Sequence, residues 1–330
     1  MKAASEGRRS ILEHIAAGQV DCVLTHKVDR WIASRPKNVA VGHHAEKEKL
    51  LVKENRFLDL ERLLAPLCAR LQKVVPGDWL WEHPEAGQTF DAYRVLRPVR
   101  KSQRCRTLYL TLIGEFTPDQ ERVVDVTAAY LAVFFDSPVR RHRWVSLGDI
   151  PPEARRQHPL FGHRQLLSTY ILHDLLIPDR PEDTLANLAI TASDLWSEDG
   201  WIFVFGEAAY GAAAWSINRF GDPSLGIDAF RLCLQRSLGT ATHETGHVLG
   251  MDHCIEYECS MNGCNHLEES DRKPLHLCAT CLRKLCWNLQ VSPEGYLSQL
   301  QEFLQTHGFP DEVSWYHKAR ITLRSCDSVR

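Results

Sequence analysis

Apolar positions along the chain follow helix and strand periods in alternation. Phe57, Leu60, Leu64, Leu67, Leu71 and Val74 recur at spacings of three and four, which predicts one apolar helix face, with Pro66 kinking or splitting the helix. Residues 1–76 accordingly read as a helical N-terminal extension. After Pro76-Gly77, the segment from Asp78 to Pro84 carries Trp79 and Trp81 among turn-forming residues and opens the main domain. Arg104 to Phe116, with Leu108, Leu110 and Leu112, suits a strand. Thr117 followed by Gln120 has the form of a capping box, and Val123 through Tyr130 and Phe134 supply the apolar face of the helix it would start. Ser137 to Leu147 reads as a second strand, His163 to Leu176 as a helix, and Leu185 to Thr191 as a buried strand. Trp201 to Phe205 and Ala212 to Ile217 read as strands around Gly206 and Gly211. This order predicts an α/β fold.

Composition narrows the class. Among 330 residues, Lys plus Arg number 39 and Asp plus Glu 42, a net charge of −3, with 44% apolar residues, which excludes disordered and low-complexity chains. The longest stretch without Asp, Glu, Lys or Arg is Ala208 to Asn218, too short for the roughly 20 residues of a membrane span. Near the N-terminus Glu13 and His14 interrupt the apolar pair Ile11-Leu12, so no signal-peptide core is expected and the cytoplasm or nucleus is the expected location. The balanced charge argues against nucleic acid as a partner. Two basic runs, one from Arg97 to Arg106 and one at Arg140, Arg141 and Arg143, read as solvated faces or strand edges. Cysteine departs from the average: six of eleven lie between Cys254 and Cys286, a density that in a reducing compartment favours metal over disulfides.

The chemistry concentrates in His243-Glu244-Thr245-Gly246-His247-Val248-Leu249-Gly250-Met251-Asp252-His253, of the form HExxHxxGxxH. On a helix turning about 100° per residue, His243 and His247 fall within about 40° of each other, one turn apart, so both imidazoles can reach one ion. Leu238, Ala241, Thr245, Val248 and Leu249 fall on the opposite flank and predict burial against the core. Glu244 stands beside the ion, where a general base for a water belongs. Gly250 can take the left-handed conformation that stops a helix and lets His253 return as third ligand. A bare HExxH arises by chance in roughly one in a hundred chains of this size, and the added Gly250 and His253 make coincidence far rarer. Three imidazoles with an open position are the catalytic rather than the structural zinc arrangement. Cys254, Cys259 and the Cys278-Ala279-Thr280-Cys281 pair are four thiols of the number that suits a closed tetrahedral zinc, with Cys264, Cys286, His266 and His276 as competitors.

Met261, eight residues after His253, completes the metzincin signature of an elongated histidine motif followed by a Met-turn. With Cys254, Cys259, Cys278 and Cys281, and with Asn265 to Glu269, Arg272 to Pro274, Trp79 to Pro84 and Trp201 to Gly206, the sequence resembles the archaemetzincins and is similar to their eukaryotic members across roughly residues 77 to 285. The resemblance implies a metzincin-like catalytic domain with a twisted mixed sheet and a zinc-bearing helix, residues 77–253. It further implies a small C-terminal subdomain, 254–330, with a four-cysteine zinc site. It implies two Zn2+ per chain, one catalytic and one structural, a peptide or protein substrate, and Met261 as an apolar floor beneath the imidazoles.

Two functions follow as expectations. The first is a zinc-dependent peptidase with Glu244 as general base, cutting internally or as an aminopeptidase. The Gly211 to Asn218 stretch is then a candidate cleft edge, or else an internal strand, and Glu268 and Glu269 are acidic neighbours of the Met-turn. The second is a zinc-stabilised binding protein with an idle motif. A zinc-ribbon nucleic-acid module fits less well, because only one cysteine pair has the tight CxxC spacing.

Overall fold

The computed structural model describes residues 60–198 and 200–327. Phe57 and the greater part of the expected N-terminal extension lie outside the described residues. What is described of it ends early: residues 60–64 are helical, Ala65–Leu67 form a 3-10 turn at Pro66, and the chain then runs extended. Leu60 and Leu64 are buried as their spacing predicts. Leu71 is instead non-helical and donates its backbone N–H to Glu256.

A five-stranded sheet organises the rest. Its strands are β1 (Thr107–Ile113), β2 (Val139–Val145), β5 (Thr184–Thr191), β7 (Gly206–Ala209) and β8 (Ala212–Ser216), in the order β2-β1-β5-β8-β7. The first four are parallel; β7 is antiparallel to β8 and ends the sheet. A smaller sheet contains β3 (Arg155–Gln157), β4 (Arg164–Leu167) and β6 (Asp194–Trp196). The strand period divides the core: Leu188, Ile190, Ala213 and Trp215 face one cluster, while Ala189, Ala212 and Ala214 face another. The first cluster is covered by α3 (Pro118–Phe134), whose capping box at Thr117 and Gln120 forms as expected, and by α5 (Ile227–Val248). Ahead of the sheet lie one helical turn, α1 (Trp79–Glu82), where only a turn was expected, and α2 (Phe90–Val95). After the Met-turn come α6 (Leu267–Arg272), α7 (Ala279–Leu289), α8 (Pro293–Thr306) and α9 (Pro310–Asp327).

Three expectations are corrected. His163 to Leu176 is not one helix: Arg164 to Leu167 form β4, because Gln165 is buried and donates to the Asp194 carboxylate and the Ile202 carbonyl. Helix begins only at α4 (Ser168–Tyr170) and continues as a π-helix, Ile171–Leu176. Trp201 to Phe205 is not a strand; only Val204 bridges to Leu195, and the strand starts at Gly206. Gly211 to Asn218 is not a cleft edge: β8 is buried between β5 and β7, all of its side chains small except Trp215, so that β7 is the edge. Arg140, Arg141 and Arg143 lie on the opposite edge, β2, where Arg141 pairs with Asp125 and Arg143 with Asp179. Among the described residues no helix is long and apolar enough to cross a membrane.

Candidate active site

Helix α5 carries His243 and His247 on one flank while Leu238, Ala241, Thr245, Val248 and Leu249 pack into the core on the other. It ends where Gly250 adopts φ +80°, a left-handed conformation, and Gly250 and Met251 donate to the last-turn carbonyls of His247 and Gly246. Three residues later His253 comes back against the first two. The ring centroids of the three imidazoles lie 4.5, 5.1 and 4.9 Å apart. One nitrogen of each falls within 4.8 Å of the others.

The outer nitrogens decide the tautomers. His243 Nδ1 donates to the Ser260 carbonyl at 3.0 Å, and His247 Nδ1 to the Met251 carbonyl at 2.7 Å. His253 Nδ1 donates to both carboxylate oxygens of Glu85 at 2.8 and 3.0 Å. A carbonyl cannot donate, so Nδ1 of His243 and of His247 carries the proton, and in the neutral rings Nε2 is a lone pair. The Nε2 atoms of His243 and His247 face one another at 3.0 Å. Two lone pairs at that distance repel unless a cation lies between them, so the donor set fits a metal such as zinc. Burial, with Lys273 and the other two imidazoles adding to it, drives the His243 pKa well below its usual value and keeps the ring neutral, as a ligand must be.

Glu244 is 7% exposed, and burial pushes its carboxyl up to about 8, with Lys273 opposing and Glu207 reinforcing the rise. Its side chain lies flat against the edge strand, where a Cβ on Gly206 would come within 2.7 Å of it. Only glycine admits that approach. In the metal-free protein an acid raised from 4.5 to about 8 stabilises the fold fully below pH 4.5 and loses that contribution as pH rises to about 8. The melting temperature of metal-free wild type minus that of Glu244→Gln is therefore expected to fall across that interval; a pH-independent difference would show Glu244 to be unperturbed.

Met261 is buried, its sulfur 2.6 Å from where a Cβ on Gly246 would stand, so it packs directly on the helix between the two ligand positions. Cys254, Cys259, Cys278 and Cys281 converge with their sulfurs within 4.8 Å of one another. Cys254 and Cys278 are 3.7 Å apart, far beyond a disulfide bond. The backbone N–H groups of Met261 and Cys278 donate to Cys259 Sγ at 3.5 and 3.2 Å. The other three thiols hydrogen-bond to Cys254 and lower its pKa; burial raises that of Cys259. Four buried sulfurs sharing protons in this way match the donor set of a closed zinc site. The competitors are elsewhere. Cys264 accepts from Lys273, Cys286 is enclosed in the core, His276 stacks on Trp315 and bonds Glu312, and His266 caps α6.

Glu268 and Glu269 do not face the imidazoles as a pair: Glu269 accepts from the backbone of Trp79 and Asn265. The segments around Trp79 and Trp201 meet instead, with the rings of Trp79, His83 and Trp201 4.3 to 6.4 Å apart and Trp79 in a T-shaped contact with His253. Two further clusters have ligand-like composition. In one, Asp194 is saturated by Arg219, His163 and Gln165; in the other, Asp78 is held by Arg272. Both are structural joints. Glu85 was missed by sequence reasoning, since a single glutamate 168 positions from His253 carries no spacing signal. Gln88, which clamps the Gly250 to Asp252 turn, was missed for the same reason.

Comparison with known proteins gives the chain its relatives. The model of peptidase family M54 matches residues 179–286. Archaemetzincin-2 of Pongo abelii is 32% identical over 247 residues, covering 64% of this chain and 67% of that protein. The Mus musculus protein of the same name is 32% identical over 282 residues, 72% and 75% of the two chains. The archaemetzincin of Pyrococcus furiosus is 35% identical over 142 residues, 42% of this chain and 73% of that one. The crystal structure of archaemetzincin from Methanopyrus kandleri aligns with a TM-score of 0.47 at 26% identity, covering 58% of this chain and 99% of that one. With relatives of that identity spanned over two thirds or more of their length, and with the histidine motif inside the matched stretch, the chain belongs to the archaemetzincin family and is a zinc metallopeptidase.

Proposed function

We propose that His243, His247 and His253 hold the catalytic zinc, that Glu244 is the general base of peptide hydrolysis, and that Cys254, Cys259, Cys278 and Cys281 hold a second, structural zinc. The observation that carries this reading is the convergence of three imidazoles, with the Nε2 lone pairs of His243 and His247 facing one another, beside a buried carboxylate whose approach is secured by Gly206. Zinc bound there supplies Lewis acidity, polarising a water and the scissile carbonyl. Glu244 takes the proton of the attacking water at a carboxylate oxygen and passes it to the departing amine nitrogen. Its burial favours that role, because a carboxylate shielded from solvent is more basic, and a bound cation would bring its pKa down from about 8 toward the working range. The outer bonds of the three histidines keep the rings from rotating. Edge strand β7, adjacent to Glu244, offers main-chain groups along which an extended peptide can pair. In this reading residues 254–330 act as a brace that fixes the Met-turn.

The test is cleavage of a mixed peptide library by zinc-loaded wild type beside Glu244→Ala, read by mass spectrometry. Products from wild type alone support the reading, and cuts confined to the first bond would identify an aminopeptidase. Absence of products from both proteins, with two zinc ions bound in each, would favour a zinc-stabilised binding protein.

A further inference from the structure

His243 and His247 are fixed by helix α5, but His253 lies beyond its end, on a turn with no regular backbone structure. That turn is held from outside the stretch matched by the family model, by residues 85–93. The Gln88 side-chain amide donates to the Gly250 carbonyl at 3.0 Å and accepts from Asp252 N–H at 3.3 Å, while the Tyr93 hydroxyl donates to the Leu249 carbonyl at 2.9 Å. Lys284, buried in α7, donates its Nζ to the Gln88 carbonyl and secures the brace from behind. Glu85 completes the set at the ring itself. Its carboxylate accepts from His253 Nδ1–H with both oxygens and also from Trp79 Nε1–H at 2.7 Å.

We propose that Glu85 is a positioning residue of the metal centre, orienting His253 through Nδ1 so that zinc is retained; this rests on the reading that the three histidines hold the catalytic ion. The asymmetry among the ligands is the argument. His243 and His247 donate to neutral carbonyls, whereas His253 donates to a carboxylate. A charge-assisted bond is roughly twice as strong as a neutral one. It also makes the ring a more basic ligand. The ligand least restrained by its backbone thus has the strongest partner on its outer nitrogen. Trp79 adds an indole N–H to one of those carboxylate oxygens and packs against the His253 ring at 5.1 Å, but the second oxygen keeps Glu85 on Nδ1 without it.

The experiment is zinc stoichiometry and affinity by chelator competition at one pH, on the full chain, for wild type, Glu85→Ala, Glu85→Gln, Trp79→Phe and His243→Ala. Glu85→Ala is expected to weaken one of the two zinc ions by about 10- to 100-fold and leave the other unchanged. Glu85→Gln keeps an amide oxygen for the His253 N–H and should recover at least half of that loss on a logarithmic scale. Trp79→Phe keeps the ring packing and should stay within about threefold of wild type. Glu85→Ala within twofold of wild type overturns the proposal, as does Glu85→Gln no better than Glu85→Ala, which would mean a packing defect. Trp79→Phe losing as much as Glu85→Ala also overturns it, since Glu85 would then act only by seating the indole. His243→Ala separates the two levels. If it drops one zinc while Glu85→Ala drops none, only the positioning role fails; if it retains both at wild-type affinity, the assignment of the histidine site itself fails.

Discussion

Glu244→Gln is expected to lower kcat/KM on any cleaved peptide by on the order of 10³-fold, the middle of the range for a general base, while zinc content stays at the wild-type value. That factor corresponds to about 4 kcal/mol of transition-state stabilisation. The amide is nearly isosteric with the carboxylate and fills the same slot against Gly206, so neither packing nor the three histidines should respond. In the proposed mechanism, what disappears is the atom that takes the proton from the water and hands it to the leaving amine. The loss should appear in kcat rather than KM, because the step concerned follows substrate binding. Steady-state kinetics beside metal analysis decide the matter. Activity within tenfold of wild type would exclude Glu244 as the base, and loss of zinc would recast it as a residue that supports the site.

Cys278→Ser is expected to have the largest effect on stability. Cys278 ends the loop that begins at Cys254, and that loop contains Met261 and the Ser260 carbonyl that holds His243. Structural zinc contributes directly to folding energy, and losing only about 4 kcal/mol of it would lower the melting temperature by roughly 6 °C in a chain of this size. Cys254 follows His253 directly in sequence, so damage to the cysteine site should pass to the histidine site through one peptide bond. The variant should therefore bind less than one zinc in place of two and show a lower thermal midpoint. Cys264→Ser, at a thiol outside the cluster, should retain both ions and the wild-type midpoint. Equal midpoints for Cys278→Ser and wild type would mean that the four sulfurs are held by packing alone.

The parts of this molecule legible in the sequence are those governed by local rules. The spacing of His243 and His247 is dictated by the helix turn, and the buried flank Leu238 to Leu249 follows from the same period. Thr117 and Gln120 cap α3 because capping chemistry acts within one turn, and Leu185 to Thr191 is buried on both faces, as an uncharged run between parallel strands must be. Tertiary partners overrode local pattern elsewhere. Arg164 to Leu167 follows its neighbours β3 and β6, and the apolar segment Trp201 to Phe205 stays irregular, its Trp201 and Ile202 carbonyls taken by Arg156. Which strand forms the edge depends on pairing order, to which the small residues of β8 give no clue. Glu85 and Gln88 were invisible because their function is defined wholly by contacts across more than 160 residues.

The shortness of β7 sets a limit on affinity. An edge of four residues, Gly206–Ala209, is only about 13 Å long, and alternate residues turn their main-chain groups outward, leaving room for about four hydrogen bonds to a guest strand. At roughly 1 kcal/mol net for each, such pairing yields a few kcal/mol before the loss of translational freedom is subtracted. Main-chain docking alone therefore cannot hold a peptide tighter than the millimolar range. Discrimination among substrates has to come from side chains or a chain terminus, and cleaved fragments, each keeping only part of that short contact, dissociate readily.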